Sequence, residues 1–311
     1  MGETTKISWC HATFNPWRGC SHAVGPNGQK HPGCLNCYAE FLVCDKFEMG
    51  GVKGEWGPGA PRTVAAESGW ALPVKWALAA AKEGLRRRVF FSLGDPLDEE
   101  APPQAQARFW DLIRETAEVC SITGQHPTAC ECTGGKEGGL DWLLLTKRPW
   151  RWELIPEDVR PLVWLGTSIS DQATADVWVP ELLKADGFRL RFLSAEPLVG
   201  PVNLSDLLVP EGVLKPLAGL LWEPVGGGRP GVTVKRPRGP RVEWVIAGGE
   251  SGGARRPSEV AWYERLAAQC AEAGVPFYMK QDTAYRAGQQ GRIPDALWAL
   301  KRVPGEVHRG A

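Results

Sequence analysis

Short apolar runs recur along the chain, each breaking off into Gly, Ser, Thr or a charged residue. The clear cases are 88–95 (RVFFSLGD), 141–148 (DWLLLTKR), 163–171 (VWLGTSISD), 190–196 (LRFLSAE), 243–250 (EWVIAGGE) and 276–282 (PFYMKQD), with a weaker run at 6–9 (KISW). Apolar runs without alternation are what strands buried on both faces look like, as in a parallel sheet. Helical patterns lie between several of them, at 40–47, 74–85, 104–119, 177–185 and 258–273, the last with Ser258 as N-cap and Gly274 as stop. Strand–helix alternation predicts βαβ units. Seven candidate strands with polar C-terminal ends predict an α/β fold, a partial or full (β/α) barrel of parallel strands. An open doubly wound sheet is the alternative, because periodicity does not decide closure. A single domain over 1–311 is expected, with inserted loops at about 121–140 and 208–241, where Gly and Pro replace periodicity.

Charge and composition narrow the function classes. Lys plus Arg equals Asp plus Glu at 36 each, which speaks against a globally basic nucleic-acid binder. Local basic stretches remain at Arg86–Arg88 and Lys235–Arg241. No apolar run has the length of a membrane span, and the polar start at Met1–Ser8 has no apolar targeting core, so a cytoplasmic protein without membrane contact is expected. The nine cysteines are an odd number, which in such a chain points to metal-binding or catalytic thiols over a disulfide framework. The fifteen tryptophans are scattered, which reads as core packing before base stacking.

Cys20, Cys34 and Cys37 lie in NPWRGC (15–20) and GCLNCYAE (33–40), a C-x13-C-x2-C spacing. A Cys-x2-Cys turn lets two sulfurs converge on one site, with a third arriving from the preceding loop. Thiolates are soft ligands that suit iron–sulfur clusters and zinc, and the spacing leaves both open. Zinc would draw a fourth ligand from His22, His31, Cys10 or Cys44. A second set, Cys120, Cys130, Cys132 and His126, falls in the Gly-rich insertion and reads as either a further metal site or a non-essential loop.

With LTKRP (145–149), WLGTS (164–168), RFLSAEP (191–197), IAGGES (246–251) and PFYMKQ (276–281), these motifs run in one order through most of the chain. Together they resemble a phage- and bacteria-associated family of unknown function with a three-cysteine motif. That family is itself similar to the radical S-adenosylmethionine (radical SAM) superfamily. The superfamily's usual spacing is C-x3-C-x2-C, and Asn36 here precedes the third cysteine where an aromatic is usual. The resemblance implies a [4Fe-4S] cluster on Cys20, Cys34 and Cys37 with one iron left open for S-adenosylmethionine. It implies an external electron donor, release of a 5′-deoxyadenosyl radical, and modification or repair of a nucleic acid or nucleotide. The superfamily's Gly-Gly-Glu-like contact to the methionine amine would correspond to Ser92, Gly94 and Asp95. The same residues also read as a strand-to-loop turn before Pro96.

The other strand ends complete the expected site. Arg148, Ser168 and Ser170, with Gly248, Gly249 and Glu250, are expected to bind cofactor or substrate. Lys147, Glu196 and Lys280 are candidate catalytic groups, although Glu196 and Lys280 would pair structurally just as well. Two other functions compete. One is a zinc-stapled nucleic-acid-binding protein. The other is a metal-free barrel enzyme with Glu196 and Glu250 as an acid–base pair.

Overall fold

A computed structural model describes residues 5–25, 28–46, 56–126, 135–209, 212–224, 233–237 and 241–306. It divides into two compact units. The first comprises 1–30, 37–165 and 187–189; the second comprises 31–36, 166–186 and 190–311.

In the first unit, strands β1 (Ala12–Thr13), β2 (Arg86–Phe90) and β3 (Glu137–Thr146) are parallel neighbours in that order. β4 (Val163–Ile169) follows β3, and its last four residues belong to the second unit. There β4 is followed by β5 (Leu190–Ala195), β6 (Trp244–Gly248) and β7 (Phe277–Gln281). β5, β6 and β7 pair in parallel. Among the described residues this is the parallel β/α class expected from the sequence, with seven strands where a closed barrel has eight.

The strands are buried as their composition requires. Every residue of β4, β5 and β6 is buried. Among the described residues, nine of the fifteen tryptophans are buried: Trp142 packs edge-on against Phe14 and Phe109 in the first unit, and Trp244 packs against Phe192 and Tyr278 in the second.

Helices α1 (Glu67–Glu83), α2 (Pro103–Thr116), α3 (Gln172–Lys184) and α4 (Val260–Glu272) correspond to four expected helices, with shifted ends. α1 starts seven residues before the predicted Val74, because Pro73 is carried inside the helix. α3 also starts early: Asp171 and Thr174 form a capping box, and Pro180 is tolerated within. Ser258 is not the N-cap of α4. Glu259 holds that place, and the Ser258 hydroxyl bonds Tyr263 and Thr283 instead. The fifth expected helix, 40–47, is one turn at Tyr38–Glu40 running into a π-helical stretch at Phe41–Lys46.

Two stretches expected as loops contain strands. Gly138 and Gly139 begin β3, because α1 lies so close that a Cβ on Gly138 would sit 2.5 Å from the Ala81 Cα. The glycine content that suggested a loop is a packing requirement. The later insertion forms an antiparallel meander of Leu207–Val209, Gly212–Lys215, Leu220–Pro224 and Thr233–Pro237. Its Gly- and Pro-rich connections hid short strands.

Candidate functional site

The polar C-terminal strand ends form two groups, one in each unit. In the first unit the centre is Arg148, which follows β3 and is 1% exposed. Its Nη1 donates to Asp95 Oδ2 at 3.0 Å and its Nε to Glu99, while Asp98 lies 3.6 Å away. Its Nη2 donates to Ser21 Oγ at 2.7 Å and to the His22 carbonyl at 2.8 Å. Nη1 also faces the Cys20 sulfur at 3.7 Å. Burial works against this charge. Asp95, Cys20, Asp98 and Glu99 overcome it and raise the guanidinium pKa above its ordinary value.

Asp95, expected to greet an ammonium, is engaged by the protein. Oδ1 accepts from Leu97 N and Thr146 Oγ1, and Oδ2 accepts from Lys147 N and Arg148. The Ser92 amide and hydroxyl both turn to Asn15 Oδ1, and Gly94 bridges to Gly19. Strand end β2 therefore anchors the segment that carries Cys20. Asp98, Glu99 and Arg62 complete the network and were not singled out in the sequence. Their signal was the acidic run 95–100 (DPLDEE) facing LTKR.

Burial alone would raise the Asp98 carboxyl. Hydrogen bonds from Ser21 and the charge of Arg148 outweigh it and hold the pKa below 3.8. The second unit's Asp282 is likewise lowered, with burial overcome by hydrogen bonds from Arg292. Groups whose folded pKa is lowered add stability above their unfolded value and lose it as pH falls through the folded one. The thermal midpoint is therefore expected to be level from about pH 7 to 5 and to fall below about pH 4. Asp98→Asn should make that fall shallower, and scanning calorimetry against pH checks it.

Cys37 caps the turn Tyr38–Glu40. Two links tie that turn to the rest of the first unit. Glu40 pairs with His22 at 2.8 Å, two residues from Cys20, and Tyr38 donates to the Ser92 carbonyl at 3.3 Å. Cys20 and Cys37 thus lie on segments joined to each other. Cys34 belongs to the second unit, in the 3-10 turn Pro32–Cys34. His31 caps that turn: its Nδ1 accepts from Gly33 N, so Nε2 carries the proton donated to the Ser168 carbonyl at 3.1 Å. Both ring nitrogens are used, and His31 has no lone pair left for zinc.

None of the three cysteines is in a disulfide. In kind they fit an iron–sulfur cluster: soft donors, one of them against a buried cation. Among the described residues no group of three or more His, Cys, Asp or Glu side chains is placed to hold a metal ion, so no coordination geometry is assigned. Of the second cysteine set, Cys120 and His126 are described, the latter paired with Glu118 at 3.0 Å. Cys130 and Cys132 lie outside the described residues, as do 238–240 of the basic stretch.

In the second unit, Ser168 lies one residue before the end of β4 and Ser170 just beyond it. Both are buried, and neither Oγ has a hydrogen-bond partner among the described residues. After β5, Glu196 Oε1 lies 2.9 Å from Lys280 Nζ on β7. Ser194 donates to the other carboxylate oxygen at 3.3 Å. The carboxylate passes directly over Gly248, where a Cβ would lie 2.6 Å from Oε1. Glu250 is held by Arg256 through both side chain and backbone, and by Asn36 at 3.1 Å. Burial would raise its pKa, but these bonds lower it, so it stays a carboxylate and is a poor general acid. Asn36, out of pattern in the cysteine motif, serves here as a strut: it also donates to the Ala254 carbonyl.

A family model describing a protein of unknown function, DUF5131, matches residues 4–122 and 135–304. The chain belongs to the DUF5131 family. The gap in the DUF5131 match, 123–134, takes in Cys130 and Cys132, so that pair is outside what defines the family. No curated protein and no solved structure matches. No helix among the described residues is long and apolar enough to cross a membrane.

Proposed function

We propose that this DUF5131 protein is an iron–sulfur enzyme of the radical SAM kind, acting on a nucleotide or nucleic acid with electrons from an external donor. The observation that carries the reading is the setting of Cys20: a buried cysteine outside any disulfide, against Arg148, at the C-terminal edge of parallel strands. Arg148 Nη1 fixes the sulfur in place, and a thiolate is the form that would bind metal. Cys20, Cys34 and Cys37 would hold the cluster. Bound there, such a cluster would supply the electron that reductive cleavage of S-adenosylmethionine requires.

The chain's own residues supply the rest. Ser168 and Ser170 offer buried hydroxyls whose hydrogen-bonding capacity is unspent, as a polar cofactor requires. Gly248 makes room for the Glu196 carboxylate and Gly249 for the Thr283 backbone. Lys280, paired with Glu196, is placed to hold or pass a proton at Nζ. Asp95 and Arg148 position the Cys20 segment.

Protein reconstituted anaerobically and reduced with dithionite is expected to release 5′-deoxyadenosine from S-adenosylmethionine. Cys20→Ala, Cys34→Ala and Cys37→Ala should each abolish release. Release that persists in these variants, or none from the wild type once loaded with iron, would remove the proposal.

A further inference from the structure

An open hollow of about 440 Å³ on the second unit is lined by Gly253, Arg255, Pro257, Thr283 and Arg292. Its two guanidinium groups differ in how much of their bonding is spent. Arg292 is fixed by Asp282: Nε donates to Oδ2 at 2.9 Å and Nη2 to Oδ1 at 2.8 Å. Nη2 also reaches the Ser258 carbonyl. Its Nη1 makes no hydrogen bond among the described residues, and more than half of the side chain is open to solvent. Arg255 donates only from Nη1, to the Gly252 carbonyl at 3.0 Å, and meets no carboxylate among the described residues. Gly253 leaves open space above its Cα.

Charge decides the sign of the ligand. Two guanidinium groups against the one buried carboxylate of Asp282 leave the lining net positive. Arg292 is pre-oriented by its bidentate pair, so it gives up little freedom on binding. Arg255 brings forked donors that match tetrahedral oxyanions.

We propose that this hollow is a phosphate-ester subsite, with Arg255 and the free Nη1 of Arg292 as donors. The phosphate would come from a free nucleotide or from a nucleic-acid backbone. This deepens the proposed substrate class, but it does not depend on the cluster.

The test is calorimetric titration of the purified protein with adenosine 5′-monophosphate, adenosine, and the dinucleoside monophosphate ApA. Wild type is expected to bind at least one of the two phosphate esters and to prefer it to adenosine. Arg255→Ala should weaken that binding about tenfold, the scale of a charged hydrogen bond, with an unchanged melting temperature. Tighter binding of the monophosphate identifies a terminal phosphate; equal or tighter binding of ApA identifies a strand backbone. No binding of either ester, adenosine bound as tightly, or an unaffected Arg255→Ala variant would overturn the subsite. Cys34→Ala should bind these probes like wild type, which separates failure of this inference from failure of the cluster.

Discussion

Arg148→Met is expected to destabilise the fold by about 3–5 kcal/mol at pH 7, the scale for leaving buried charges unpaired. Met fills similar space, so the effect isolates charge from volume. Without the guanidinium, Asp95 and Asp98 remain as buried carboxylates, 5% and 2% exposed, with one cation fewer to hold them ionised. Arg62 still reaches Asp98 at 3.2 Å, but among the described residues it makes no hydrogen bond to Asp95. The variant's Asp98 carboxylate will take up a proton more readily, so the loss should shrink as pH falls towards 4. Urea denaturation at pH 7 and pH 4.5 measures both. A loss under about 1 kcal/mol at pH 7 would mean the network contributes no more than a surface pair. Adding Asp98→Asn to the variant should restore part of the loss, because the two residues share one interaction.

Gly249→Ala should cost about 3 kcal/mol, at the upper end for forced overpacking. A Cβ there would lie 2.7 Å from the Thr283 Cα and closer still to its backbone nitrogen and hydroxyl. Backbone cannot swing aside as a side-chain tip can. Relief would require parting β6 from β7, at the expense of the bonds Gly249 N to Gln281 O (3.0 Å) and Gln281 Nε2 to Gly249 O (2.7 Å). Gly253→Ala, four residues on, meets nothing within 4 Å and should be within about 0.5 kcal/mol of wild type. Equal stability of the two variants in urea denaturation would contradict this account of the Gly-Gly step.

The parallel strands were legible because burial on both faces writes itself as unbroken apolar runs. Each helix that was placed had its period visible, and their ends moved where a proline was absorbed or a capping box lay upstream, as at Pro73 and Asp171. Gly138 and Gly139 were misleading, because a glycine required by a neighbouring helix looks like a glycine required by a turn. The strand-end residues were legible as positions, since polar groups after apolar runs mark the edge where α/β proteins bind ligands. Their partners were not. That Asp95 is spent on Arg148, Glu250 on Arg256, and His31 on Gly33 and Ser168 depends on contacts across 53, 6 and up to 137 positions of chain, which local pattern does not carry. Arg255 and Arg292 belong to no motif that the sequence offered, and the fold alone brings them to one hollow.

Iron and acid-labile sulfide per chain, measured on protein purified without oxygen, test the proposed cluster most directly. The account predicts about four of each per wild-type chain, as a cubane on three thiols requires, and a near-complete loss in Cys34→Ala. Zinc in place of iron, or iron retained at wild-type level in Cys34→Ala, would contradict it.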